Sequence, residues 1–200
     1  MTLTRFFPSL TLALLIASPI SAQPPSTVRV VGTIEAVQGS TLAVKTRQGE
    51  VKVQVTDDAV VSGIEPRTIA DIKPGLFLGV GGVPLPDGSQ KAVRIQSFAP
   101  GESPNPGFRS WSGAPQGTMT NANVESSVAS VDGHVIMLKY SGGEKKIVVG
   151  ADAQITGRVH GERSELKPGA AILIVAAAKK ADGTLEANRV NVGRNGVVPR

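Results

Sequence analysis

Five side chains in this sequence could together hold a soft metal: Trp111, Met119, His134, Met137 and His160. Thioether sulfur and imidazole nitrogen suit Cu(I). The metal expectation rests on His134 and His160. These residues lie in three separate segments. His134 and Met137 are three positions apart in an alternating pattern, so in a strand they point to opposite faces. The plainer expectation is Met137 in the core, His134 at a turn and His160 in an exposed loop.

Other reactive patterns are weaker still. Ser164-Glu165-Leu166-Lys167 matches S-x-x-K, but no S-D-N or K-T-G partner follows. Asp57, Asp58 and Asp152 lack the alternating oxygen ligands of a calcium loop. Asp58 and Asp152 are expected to bond nearby backbone instead. Gly79, Gly81 and Gly82 sit inside a strand pattern and read as a bulge, not a phosphate cradle. No catalytic residue is assigned. The expectation is a protein that is not an enzyme and carries no cofactor.

Binding is the remaining chemistry. The stretch Phe108, Arg109, Trp111 and Met119 holds the only tryptophan in an aromatic-poor chain. Aromatic and arginine side chains are common anchors of protein interfaces. Expected partners are a protein, a glycan or an envelope component. Single-stranded nucleic acid is not expected: the aromatics are too few for stacked bases, and export would separate the chain from that ligand.

Export is read from the first residues. Arg5 precedes an apolar run, Leu10 to Ala17, that Pro19 breaks, and cleavage after Ala22 is expected. The run is too short for a spanning helix, and no other segment approaches the roughly 20 apolar residues a span needs. The expected location is the periplasm. There is no cysteine, so no disulfide or thiolate chemistry. The net charge of +5 is spread among alternating acids and bases, the pattern of a solvated surface.

The elements that must position these residues come in two copies. At an offset of 94, Val37, Gly39, Lys45, Gly49, Glu50, Lys52, Val55, Asp58, Ala59, Gly63, Lys73, Pro74 and Gly75 recur as Val131, Gly133, Lys139, Gly143, Glu144, Lys146, Val149, Asp152, Ala153, Gly157, Lys167, Pro168 and Gly169. At an offset of 95, Asp87, Gly88, Ala92 and Arg94 recur as Asp182, Gly183, Ala187 and Arg189. Runs such as Val51-Lys52-Val53-Gln54-Val55 alternate with a period of two, the mark of half-buried strands. Asp87-Gly88 and Asp182-Gly183 read as hairpin turns. Lys73-Pro74-Gly75 and Lys167-Pro168-Gly169 read as structural turns that end a short helix or 3₁₀ turn near Thr68–Ile72 and Glu162–Leu166. The β pattern breaks over Asp57–Ile72 and Ala151–Leu166.

Three strands, a short helix and two strands is the order of a small five-stranded Greek-key barrel of the OB type. The expected fold is all-β: two tandem barrels, each closed by one copy, the alternative being an open five-stranded antiparallel sheet or a split barrel. Their bounds are 23–98 and 124–200. A Pro/Gly-rich connector, 99–123, joins them and is expected to pack back through Trp111. Residues 1–22 form the signal.

The repeated G-x-I/V-x-x-V-x-G, L/I-K-P-G and D-G-x-x-x-A-x-R-I/V patterns resemble a bacterial family of exported OB-like domains of unknown function. Gly117-Thr118-Met119-Thr120-Asn121-Ala122 and Gly193-Arg194-Asn195-Gly196-Val197-Val198-Pro199 look like a subset of alphaproteobacterial periplasmic proteins. The resemblance implies a fold and no catalytic or ligand residue. The chemistry-bearing side chains do not repeat, so specific function is expected in the connector.

Overall fold

The computed structural model describes residues 26–130 and 133–200. The expected export signal and the Val131 identity lie outside the described residues. The strands are β1 (Thr27–Gln38), β2 (Thr41–Thr46), β3 (Gly49–Pro66), β4 (Phe77–Pro84), β5 (Gln90–Ser97), β6 (Gly107–Ser110), β7 (Thr118–Ser130), β8 (Gly133–Tyr140), β9 (Gly143–Val149), β10 (Gln154–His160), β11 (Ala171–Lys179) and β12 (Leu185–Gly193). Two 3₁₀ turns, Ile69–Asp71 and Arg163–Glu165, fall where the turns before Lys-Pro-Gly were expected. The chain is all-β, as the alternating pattern requires.

A closed five-stranded barrel runs β1-β2-β3-β12-β11 and back to β1. Its core includes Ile34, Val44 and Val53 from the first copy and Ile172, Ile174 and Leu185 from the second. The other lobe pairs β5-β4-β7-β8-β9, and β5 meets β9 at Gln90↔Ile147 and Lys91↔Val148. A separate core fills it, with Leu78, Val80 and Ile95 from the first copy and Ile136, Leu138 and Ile147 from the second.

The expected tandem arrangement therefore needs correction. The barrel does not close on one copy: the last two strands of each copy pair with the first three of the other. The reason is the length of β3. The strand does not break at Asp57 but runs 18 residues to Pro66, about 60 Å at about 3.3 Å per residue. Its first part belongs to the barrel. Its end pairs with β10, from Ser62↔His160 to Pro66↔Thr156, and carries the chain across to the other lobe. Ile64↔Arg158 is the centre of this pairing. The second copy makes the same crossing through β10, so Ala151–Leu166 is not a continuous break either.

The Lys-Pro-Gly turns fasten each crossing. The Gly75 N–H donates to Val124 O at 2.8 Å, and Val124 N–H donates to Leu76 O at 2.9 Å. In the other lobe Gly169 N–H donates to Ile34 O at 2.8 Å, and Ile34 N–H to Ala170 O at 2.9 Å. Gly75 and Gly169 have φ of 84° and 88°, a region that favours glycine. Each turn thus docks on the first strand of the opposite copy.

These contacts make Val124 the counterpart of Ile34, an offset of 90 rather than 94. Both are followed by a bulge, at Glu35 and at Glu125. The β7–β8 hairpin continues to Ser130↔Gly133, whereas β1–β2 ends at Gln38↔Thr41. The identity of Gly39 with Gly133 is therefore not a structural equivalence.

Candidate functional site

The connector packs against the second lobe from end to end. Phe98 lies edge-on to Phe77, ring centroids 5.9 Å apart. Asn121 on β7 is buried, and its Nδ2 donates to Pro104 O at 2.9 Å and Asn105 O at 3.1 Å. The chain then forms β6, which pairs antiparallel with β7 from Gly107↔Asn121 to Ser110↔Thr118. Beyond β6 the Trp111 N–H donates to Gly117 O at 2.8 Å and closes a tight loop.

Trp111 is half-buried in this loop. Its indole covers Gly81 of β4, where an added Cβ would sit 2.8 Å from the ring. The Arg94 guanidinium stacks 5.5 Å from the ring centroid and donates to Arg200 O. Burial, with Arg29 and Arg200 nearby, pulls the Arg94 pKa below its ordinary value. Trp111 therefore fastens the connector.

Phe108 and Arg109 remain outward. Phe108 is 46% exposed, and Lys145 Nζ lies 4.6 Å from its ring centroid. Lys145 Nζ also donates to Gly88 O at 3.2 Å, while Lys146 pairs with Asp87 at 3.6 Å. Asp87 holds its turn by accepting from Ser89 N–H at 3.0 Å and Ser89 Oγ at 2.5 Å. Those bonds and Lys146 hold its carboxyl below the usual range. Asp182 does the same with Thr184. Beside this face, the Lys73-Pro74-Gly75 turn, Phe77, Phe98 and residues 99–103 line an open groove of about 470 Å³. Glu102 on the groove approaches Arg158 Nε at 3.8 Å.

The candidate metal residues do not converge. Met119 pairs with Gly81 and Arg109 on β7. His134 is half-buried on β8, opposite Ala129 and Val149. His160 is exposed on β10, opposite Ser62. Among the described residues no three His, Cys, Asp or Glu side chains gather as a cation cage. Ser164 Oγ donates to Glu162 at 3.2 Å on the surface, and the exposed Lys167 belongs to the docking turn.

Two features escaped the sequence reading. The first is a buried polar network beneath β6. Gln90 Nε2 donates to Thr118 O at 2.8 Å, Thr118 Oγ1 at 3.0 Å and Val80 O at 3.2 Å. Thr120 Oγ1 donates to Gln90 Oε1 at 2.8 Å. Its only sequence signal is that the second copy has Leu185 where the first has Gln90. The second is a bidentate pair on the barrel. Arg194 donates to Glu165 through Nε at 2.8 Å and Nη2 at 2.7 Å, and Nη2 also reaches His160 O at 3.0 Å.

The Arg194 hydrogen bonds lower the Glu165 pKa from 4.5 to about 2. A carboxylate depressed in the fold stabilises it above its unfolded pKa, and that stability is lost as pH falls through the folded value. Glu165→Gln should cost about 1–2 kcal/mol at pH 7, after allowance for partial exposure. Thermal melts of the two proteins should converge as pH drops from about 4.5 towards 2. A gap that persists at pH 2 would contradict this role.

No protein-family model matches this chain, and no curated protein or solved structure is significantly similar to it.

Proposed function

We propose that this is a non-catalytic periplasmic protein, two OB-like barrels built from exchanged copies, that binds an envelope protein or glycan. The proposal includes membership of the exported OB-like family that the repeated motifs resemble. One observation carries the binding reading. The unrepeated connector spends Trp111 on holding its own loop and leaves Phe108 exposed with the Lys145 ammonium over its ring, while Arg109, next along β6, donates to Asn105 O at 3.0 Å. An exposed aromatic beside a cation suits an acidic protein surface or an anionic glycan.

Phe108→Ala removes an exposed ring, so stability should change by no more than about 0.5 kcal/mol. Capture of the envelope partner should fall about tenfold or more, read by quantitative pull-down from an envelope fraction. Trp111→Ala should lower stability as well as capture. An unchanged partner set with Phe108→Ala would overturn the site and favour a purely structural envelope role.

A further inference from the structure

The two lobes differ in one covered edge. In β7, Thr118–Asn121 is flanked by β4 on one side and by β6 on the other. With Val124 as the counterpart of Ile34, these residues correspond to Val28–Val31 of β1. There β11 covers one side. On the other, β2 reaches only as far as Gly32↔Thr46, and no strand pairs with Val28–Val31 among the described residues. Ile34 donates towards β11, so by alternation Val31 turns its N–H and C=O to the open side.

The chemistry of this edge also differs. Val28 and the buried Val30 stand where the second lobe has Thr118 and Thr120. Half-buried Val51, packed on the barrel core, stands where Lys145 touches the Phe108 ring. Arg29 stands where Met119 faces Arg109, and no carboxylate pairs with it among the described residues. Arg47 lies just past the end of β2, likewise without one. β6 thus shows what fits such an edge, and the substitutions show how the occupant must change.

We propose that the Val28–Val31 edge of β1 is a strand-addition site for an extended segment of a partner protein. The segment carries an apolar side chain opposite Val30 and a carboxylate opposite Arg29. Backbone bonds give affinity, and the alternating side chains give selectivity. The site is the barrel edge, where Arg29 lies near Arg94 and Arg200; it makes no use of Phe108, so the two sites are tested by different variants.

The test uses the whole protein and two blocked peptides built on the β6 sequence. One is acetyl-Asn-Pro-Gly-Phe-Glu-Ser-Gly-amide; the other has arginine in place of glutamate. The glutamate peptide should bind saturably by fluorescence polarisation and slow amide exchange at Val31. The arginine peptide should bind about tenfold more weakly. Val31→Pro, whose lost N–H faces the open side, should abolish binding. Arg29→Glu should reverse the peptide preference, which keeps the test decisive if the proline variant folds poorly. Equal binding of both peptides, no binding at about 1 mM, or protection of Val31 in a dimer without peptide would each overturn the proposal.

Discussion

Replacing Gln90 with leucine should destabilise the protein by about 2–3 kcal/mol, although leucine is the more hydrophobic residue. Gln90 is 1% exposed and Thr120 is fully buried. Removing the amide leaves the Thr120 hydroxyl without an acceptor and Thr118 O without its side-chain donor. Orphaned buried groups lose the full desolvation energy, whereas removing both partners of a bond can be nearly neutral. Thr120→Val alone should cost about 1–2 kcal/mol by orphaning Gln90 Oε1. The double variant Gln90→Leu/Thr120→Val should recover most of the loss. The barrel already contains that solution, with Leu185 and Val30 at the equivalent positions, both buried. A urea-denaturation double-mutant cycle should therefore show a coupling of at least about 1 kcal/mol. Strict additivity would show that the network is not the source of the cost.

The network bears on the site, because Thr118 and Thr120 lie on the stretch of β7 that β6 covers. Satisfied polar groups there fix one arrangement of the strand under the connector. The same positions on the barrel are apolar, and the edge beside them is open. The copies share a fold and differ where one lobe is covered.

Much of the fold could be read from local chemistry. The alternation in Val51–Val55 marks a half-buried strand, and Val53 and Val55 are indeed in the core. Ile69–Asp71 forms a 3₁₀ turn, fastened by the Thr68 N–H donating to Asp71 at 2.8 Å. Arg163–Glu165 repeats this with Glu162 N–H and Glu165 at 2.7 Å. Neighbours were less legible. Period-two alternation says which face of a strand is buried, not which strand lies beside it. Exchanging β11–β12 for β4–β5 preserves every local pattern. The stretch after Asp57 reads as a break in the β pattern because Ser62 and Gly63 interrupt the alternation. Ser62–Ile64 are buried between β10 and β12, so no polar face remains to show a period.

The site was legible in part. An unrepeated aromatic segment in a repeated chain was visible, but the division of labour within it was not. That depends on Gly81, two strands away, giving the Trp111 ring a flat seat. Gln90 carries no signal in the sequence beyond its mismatch with Leu185, because alternation does not tell a buried amide from an exposed one. His134 and His160 drew notice by residue type alone, and the fold sets them on separate strands.

The exchange of strands between copies is the central claim, and disulfide trapping tests it most directly. The chain has no cysteine of its own. In the barrel Gln54 lies beside Glu186 on parallel strands. Had each copy closed on itself, the repeat offset would put Lys91 in the place of Glu186. Lys91 instead lies beside Val148. Paired strands bring Cα atoms within disulfide reach. The double variant Gln54→Cys/Glu186→Cys should oxidise within one chain, migrate faster on a non-reducing gel and hold both halves together after cleavage in the connector. The variant Gln54→Cys/Lys91→Cys should stay reduced under the same mild oxidation. Rapid closure of the second pair, with none in the first, would contradict the exchanged fold.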